Sequence, residues 1–212
     1  AATAWAATPI HQRGAILLAA ADIVDGHAAA WGLELATEEG KTTAEGIGEV
    51  RRAAQILRYY GNEGDRQAGD IYASPRAGEQ ILVTRKPLGV VAVITPFNFP
   101  IAIPAWKIAP ALVFGNTVVW KPASTVPLLA LRLAEALTSA GLPAGVLNLL
   151  VGESDIGDAL VHLYELIYSD YKYAKGATST TTTLEEVIDP GNDLLTTAGY
   201  RLDPAERAVL VR

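Results

Sequence analysis

The longest apolar stretch of the chain runs from Leu88 to Trp120, where Lys107 is the single charged residue. Prolines interrupt this stretch, so it cannot form one continuous helix. The interrupting residues are Pro96, Pro100, Pro104 and Pro110. The pattern predicts instead a buried strand over 89–94, a tight turn, a short buried helix and a second buried strand over 116–120. Nearly continuous apolar strands on either side of a helix are typical of a parallel sheet covered on both faces.

Two groups that can donate hydrogen bonds lie just beyond these strands. Asn98 follows the first strand and Lys121 follows the second. A third buried strand is predicted over 146–151. Ligands of open α/β sheets bind at the carboxyl edge, where parallel strands end. We therefore predict an α/β fold, a partial Rossmann-like parallel sheet flanked by helices, with a candidate binding site at that edge.

Other segments have the spacing of amphipathic helices. They run from Pro9 to about Asp25, from Thr42 through Leu57, and from Pro127 to Ala140. Thr8 before a proline predicts the N-cap of the first helix. Thr42 and Glu45 have the spacing of a capping box for the second helix. Ser124 or Thr125 is the predicted cap of the third helix.

Composition narrows the possible functions. Half of the 212 residues are hydrophobic and the mean hydropathy is +0.22, which indicates a well-filled core or apolar surface that a partner covers. The net charge of −6 and the absence of a basic cluster argue against nucleic-acid binding. Prolines, glycines and Lys107 divide the longest apolar stretch, so no membrane span is predicted. Scattered histidines and the absence of cysteine argue against a metal site. Because a chain without cysteine has no disulfides, we expect a cytoplasmic protein.

Four short sequence motifs follow one another in and after the apolar stretch. They are TPFNFP at 95–100, AWKIAPAL at 105–112, GNTVVWKPAS at 115–124 and GLPAGVLNL at 141–149. Together they resemble the aldehyde dehydrogenase superfamily, most of all dehydrogenases of small semialdehydes such as succinate or ketoglutarate semialdehyde. Further similar stretches lie upstream, at 5–18, 38–42 and 49–60. The resemblance stops soon after Gly157, which predicts a partial NAD(P)-binding domain over 1–157 and a divergent segment, a helix and a Thr-rich or strand part, over 158–212.

The segment 61–86 begins rich in glycine and aspartate and ends in a short strand. In the aldehyde dehydrogenase superfamily this region supplies an oligomerisation hairpin. The resemblance therefore implies that Ile81 and Val83 pair with another subunit in a homo-oligomer. An ordinary edge strand explains the same residues equally well.

Asn98 is the sharpest catalytic candidate. The resemblance implies that its side-chain amide donates to the oxyanion that forms when a thiol attacks an aldehyde. A preorganised donor of this kind lowers the barrier by about 3–4 kcal/mol. The alternative for an isolated asparagine is a turn residue that holds its own backbone.

The resemblance also implies a site for NADP or NAD. Lys121 corresponds to the lysine that binds the adenosine ribose hydroxyls, and Ala123 and Ser124 belong to the same motif. Many NAD-preferring relatives have glutamate at the position of Ser124, where a carboxylate repels a 2′-phosphate. Because serine removes that repulsion, we expect NADP to be at least tolerated.

Further cofactor positions follow the first strand. Ile94, Thr95, Pro96 and Phe97 correspond to residues that pack against the nicotinamide half, with Phe97 in place of the more common tryptophan. Gly157 corresponds to the glycine that opens the next helix near the pyrophosphate. The turn before it carries acidic side chains and is shorter than in many relatives, which weakens that assignment.

The chain lacks the other parts of the chemistry that the resemblance implies. No Phe-Thr-Gly-Ser segment, no Glu-Leu-Gly-Gly base motif and no cysteine occurs in the sequence. Without a thiol the aldehyde cannot be captured as a thiohemiacetal, so we predict that the chain alone does not oxidise aldehydes.

Three interpretations remain open. The chain is the cofactor-binding part of a small-aldehyde dehydrogenase, or a non-enzymatic structural, oligomerising or chimeric derivative of that fold, or a serine- or threonine-dependent hydrolase. The last has no supporting triad in the sequence.

Overall fold

The structure is a computed structural model that describes residues 1–66, 69–84 and 86–170, with side chains except those of Asp65 and 166–170. By its internal contacts the chain divides into two units, 1–163 and 164–212. The predicted Thr-rich segment lies outside the described residues, and residue 157, the predicted end of the cofactor domain, lies inside a helix.

Helices make up most of the described residues. They are α1 (Ala2–Ala7), α2 (Ile10–Gly26), α3 (Ala28–Glu39), α4 (Thr43–Glu63), α5 (Ala102–Val113), α6 (Leu128–Ser139) and α7 (Ser154–Asp170), with a short 3₁₀ helix at Gly64–Arg66. The strands are β1 (Asp70–Ala73), β2 (Gln80–Val83), β3 (Val90–Ile94), β4 (Thr117–Lys121) and β5 (Leu147–Leu149). In the described part of the chain no single helix is long and apolar enough to cross a membrane, although the pair α2 and α3, bent by 71°, passes by length and composition together.

The predicted parallel sheet is confirmed, in the order β3-β4-β5. Val91 of β3 lies opposite Val118 of β4, and Val93 lies opposite Trp120. Trp120 and Val118 are fully buried, because β4 is the central strand. The apolar sequence of the strands and the helix α5 between them produces this arrangement.

The expected burial on both faces is wrong for β3. Val90 and Ile94 are 52% and 46% exposed, whereas Val93 between them is 4% exposed. β3 is an edge strand among the described residues, and no described element covers its outer face. β5 is half-buried along its length, not buried as predicted. A continuous apolar run therefore indicated a strand correctly without indicating how many of its faces are covered.

Backbone carbonyls near the end of α5 tie the first residues of the chain to the core. The indole nitrogen of Trp5 donates to the carbonyl of Leu112 at 3.1 Å. The guanidinium of Arg13, 8% exposed, donates to the carbonyl of Val113 at 2.8 Å. The same guanidinium also reaches the carbonyls of Trp5, Ala6 and Thr8. A buried cation is thus satisfied entirely by carbonyl oxygens, as the cost of burying an unpaired polar group requires.

Helix capping agrees with the sequence at one of three places. Thr42 and Glu45 form the predicted capping box, with the amide of Glu45 donating to the Thr42 hydroxyl at 3.3 Å and the amide of Thr42 donating to the Glu45 carboxylate at 3.0 Å. The prediction for Thr8 is wrong. Its hydroxyl donates back to the carbonyl of Ala4 at 3.0 Å, because α1, a helix that the pattern did not predict, ends there.

The predicted cap of α6 is also wrong. Neither Ser124 nor Thr125 caps the helix. Instead the amide of Leu128 donates to the carboxylate of Glu38 in α3, at 3.1 Å. Burial of Glu38 raises its pKa, and the bond from Leu128 opposes that shift only in part. A long-range carboxylate therefore replaces the local hydroxyl that the sequence suggested.

The predicted hairpin in 61–86 is present as β1 and β2, which pair antiparallel with Ile71 opposite Leu82. Every residue of both strands is exposed in the single chain. Ile71 and Leu82 are 68% and 64% exposed. Pairing with another subunit stays a prediction.

α3 and α4 approach closely at a pair of glycines. A Cβ on Gly46 of α4 would lie 2.3 Å from the carbonyl oxygen of Gly32 in α3. A Cβ on Gly32 would lie 2.5 Å from the backbone nitrogen of Ile47. Backbone atoms cannot move aside as a flexible side chain can, so both positions require glycine.

We expect Gly46→Ala to lower the free energy of unfolding by about 1–3 kcal/mol, because it forces α3 and α4 apart. The matched control is Gly48→Ala in the same helix, where an added Cβ meets nothing within 4 Å. This control should raise stability by up to about 1 kcal/mol through helix propensity. Urea denaturation measures both changes. Equal effects of the two substitutions would contradict the close approach.

Candidate functional site

β3 and β4 end side by side, which brings the first predicted site residues together. Ile94 is the register partner of Lys121. The amide of Thr95 donates to the carbonyl of Lys121 at 3.2 Å. The buried Thr95 hydroxyl accepts from the indole of Trp120 at 2.9 Å. Thr95 is therefore a structural link between the strand ends, and its side chain faces the core.

Lys121 has an unusual environment for a lysine. The residue as a whole is 8% exposed, because it lies at the end of the central strand. Within the described residues its ammonium has no hydrogen-bond or ion-pair partner, although lysines this buried are usually paired. The sequence favours a functional lysine here over a solvated one, and this stays a prediction. The arrangement leaves a cation free to bind an external acceptor.

The turn that follows β3 exposes the other predicted residues. Pro96 and Asn98 are exposed, and Phe97 is 59% exposed. The carboxamide of Asn98 has no hydrogen bond to any described residue, so it does not hold its own backbone as the alternative reading required. Its backbone carbonyl accepts from the ammonium of Lys41 at 3.3 Å. Asn98 thus has a fixed backbone and a side chain with free donors.

A buried ion pair holds the far end of this turn. The side chain of Glu49 in α4 is 2% exposed. One of its oxygens accepts from the backbone amides of Ile101 and Ala102, at 3.1 and 3.2 Å. The other accepts from Lys41 at 2.6 Å. Since α5 begins at Ala102, the carboxylate fixes the start of that helix as well as the turn before it.

Lys41 is held on several sides. Its ammonium lies 3.0 Å from Glu39 and 4.9 Å from the ring centroid of Phe99, in addition to the contacts with Glu49 and Asn98. Burial lowers the pKa of Lys41, but the hydrogen bonds and charges of the two carboxylates outweigh burial, so the pKa is raised overall. Lys41 therefore stays protonated near neutral pH and keeps the turn fixed.

Ser124 and Glu153 meet beyond the strand ends. The Ser124 hydroxyl, in the loop after β4, donates to the Glu153 carboxylate, after β5, at 3.3 Å. Ala123 and Ser124 are half-buried. Gly157 lies within the first turns of α7 and does not open the helix as expected, and a Cβ there would meet nothing within 4 Å. The fold therefore has no steric need for glycine at 157.

A model described as the aldehyde dehydrogenase family matches residues 1–166. The chain belongs to the aldehyde dehydrogenase family. The resemblance found in the sequence motifs is thereby confirmed, and the match extends somewhat further than Gly157. The α/β fold is confirmed by the solved structures of family members described next.

Relatives of this aldehyde dehydrogenase chain are much longer than the matched region. 2,5-Dioxopentanoate dehydrogenase of Saccharolobus solfataricus is 45% identical over 158 residues, which cover 74% of this chain and 33% of that protein. The NADP-dependent glyceraldehyde-3-phosphate dehydrogenase from Bacillus halodurans C-125, solved with NADP, is 41% identical with a TM-score of 0.71, covering 75% of this chain and 35% of that one. PnpE, solved with nicotinamide adenine dinucleotide, is 37% identical with a TM-score of 0.72, covering 75% and 33%. The chain spans about a third of the length of these relatives.

Sequence reasoning missed two kinds of site residue. Lys41 and Glu49 hold the turn. Both lie in stretches that resemble the family, 38–42 and 49–60, but no local pattern in the sequence indicates that the two side chains pair with each other. The position of Glu153 against Ser124 was also missed. The sequence shows that Glu153 is an acidic residue in the turn before α7, but it does not show that Ser124 is its hydrogen-bond partner.

We expect Lys41→Met and Glu49→Gln each to destabilise the fold, with Glu49→Gln removing one of the two carboxylates that pair with Lys41 at a cost of up to about 3 kcal/mol. Because the two groups act as one unit, the double variant should be at least about 1 kcal/mol more stable than the sum of the single losses predicts. Chemical denaturation of all four proteins measures the coupling. Additive losses would mean that the ion pair contributes nothing of its own.

Proposed function

We propose that this chain is the cofactor-binding part of an NAD(P)-dependent aldehyde dehydrogenase that oxidises a small semialdehyde to a carboxylate. The observation that carries the proposal is Lys121, a residue 8% exposed whose ammonium has no partner in the described part of the chain, at the edge where β3 and β4 end together. Family membership supports the same reading. The substrate class is suggested by 2,5-dioxopentanoate dehydrogenase, whose named substrate has an aldehyde at one end and a carboxylate at the other.

The residues at this edge fit a dinucleotide. Ile94 and Phe97 are 46% and 59% exposed and provide an apolar surface suited to a flat ring. Lys121 can donate to ribose hydroxyls and attract phosphate charge. When bound, NAD(P) supplies a nicotinamide that accepts hydride from the substrate. The chain's own residues orient that ring and hold the sugar.

The exposed carboxamide of Asn98 is suited to a catalytic role beside the cofactor. Its free carboxamide can donate to an oxygen that becomes negative as an aldehyde carbon is attacked. Lys41 holds the Asn98 backbone, and Glu49 holds the residues after it, so the backbone that carries the donor is fixed before substrate arrives. A fixed backbone matters because it limits the motion through which the donor must reorient, and reorientation reduces the contribution to the barrier reduction.

The attacking thiol must come from outside these 212 residues, since the chain contains no cysteine. We therefore expect nucleotide binding without aldehyde oxidation by this chain alone. A second candidate function is a non-enzymatic, self-associating protein of the same fold. The exposed apolar side chains of β1 and β2, Ile71 and Leu82 among them, favour self-association in either case.

Nucleotide binding is tested by thermal unfolding of the 212-residue chain. At a concentration 100 times Kd, NAD or NADP should stabilise the fold by about 2.7 kcal/mol. Lys121→Met should weaken affinity about tenfold or more, because it removes a charge-assisted hydrogen bond to the sugar. The control is Lys107→Met, a change at an exposed lysine of α5. Melting temperatures unmoved by millimolar amounts of either nucleotide would refute cofactor binding and favour the non-enzymatic function.

The role of Asn98 is tested in a joined protein, residues 1–166 of this chain followed by the remaining part of 2,5-dioxopentanoate dehydrogenase. We expect Asn98→Ala to lower kcat about 10²–10³-fold with a small change in KM, as loss of an oxyanion donor does. Thr125→Ala, at an exposed residue without a cap role, is the control. Equal rates for the Asn98 variant and the unmodified protein would exclude oxyanion stabilisation by this side chain.

A further inference from the structure

β4 and β5 bring a carboxylate to the edge that carries Lys121. The strands are parallel, with Trp120 opposite Leu149 and the amide of Leu150 donating to the Trp120 carbonyl at 2.8 Å. The loops that follow them therefore leave the sheet together. Glu153 in the second loop accepts a hydrogen bond from Ser124 in the first, at 3.3 Å.

This contact changes the electrostatics expected from the sequence. Ser124 is neutral, and on its own it would leave Lys121 free to attract a phosphate. Glu153 places a negative charge within hydrogen-bond distance of the same hydroxyl. It is exposed and has no ion-pair partner among the described residues, so its charge is not neutralised internally. Asp155 in the first turn of α7 adds negative charge nearby along the chain.

NAD and NADP differ by the phosphate on the adenosine ribose. A carboxylate can accept a hydrogen bond from a ribose hydroxyl, whereas it repels a 2′-phosphate. We propose that Glu153, positioned by Ser124, sets the nucleotide preference of this chain in favour of NAD. The inference rests on the proposed function, because it requires that the adenosine ribose lies beside Lys121.

With Glu153 at the site, the tolerance of NADP that Ser124 alone predicts is no longer expected. A serine at this position predicts tolerance of NADP only if no other acid reaches the site. Here the acid comes from the neighbouring strand's loop, about thirty residues later in the sequence. Ser124 then acts as a positioning residue, and Glu153 as the residue that discriminates between the two nucleotides.

The test is calorimetric titration of the 212-residue chain with NAD and with NADP, for the unmodified protein, Glu153→Gln and Asp155→Asn. Asp155→Asn is a matched control, because it removes the same charge two residues later, in the first turn of α7, without a contact to Ser124. We expect Glu153→Gln to lower the affinity ratio of NAD to NADP about tenfold, as one repulsive charge contact at this range predicts. Asp155→Asn should change the ratio by less than about threefold.

A second readout compares the salt dependence of this ratio in the unmodified chain and in Glu153→Gln. Because salt also screens the attraction between Lys121 and phosphate in both proteins, the difference between them reports on Glu153, and raising the salt concentration should reduce the preference for NAD more in the unmodified chain. An affinity ratio that Glu153→Gln leaves unchanged, or the same salt dependence in both proteins, overturns the role of Glu153 while leaving the proposed function in place. Failure of every variant to bind either nucleotide overturns the proposed function itself.

Discussion

The carboxylate of Glu49 is the group on which the candidate site depends. It is almost fully buried, and three donors converge on it from two separate stretches of chain. The donors are the ammonium of Lys41 and the amides of Ile101 and Ala102. A buried carboxylate with these donors is stable, whereas the same carboxylate without them would carry a large desolvation cost. Lys41, Glu49 and the start of α5 therefore stabilise one another through this carboxylate.

This unit explains how the site can be rigid while its chemical groups stay available. At one end the turn is tied to the sheet by Thr95, whose hydroxyl accepts from buried Trp120. At the other end it is tied to α4 through Glu49. Between these ties Asn98 is held through its backbone and not through its side chain, so its carboxamide remains free to donate. Lys121, at the end of the next strand, is likewise largely buried, and its ammonium has no partner among the residues that the structure describes.

The sequence predicted the elements of this region well and the contacts between distant residues poorly. Prolines and apolar runs located the strands and α5, because those signals are local. The cap of α6 was misassigned, since Glu38 reaches Leu128 from a helix ninety residues earlier and outcompetes Ser124. The burial of β3 was overestimated because periodicity does not reveal whether a neighbouring element covers the outer face. Glu49 escaped notice for the same reason: its role is defined by partners that lie far away in the chain.

The most direct measurement of the central claim is amide hydrogen exchange at Ile101 and Ala102. Amides before and within the first turn of a helix have no intrahelical acceptor and ordinarily exchange quickly. If Glu49 accepts from both, they should be protected to a degree comparable with Val118 in the central strand, whose amide donates to Val146 at 2.8 Å. Exchange at the rate of exposed loop amides would contradict the account.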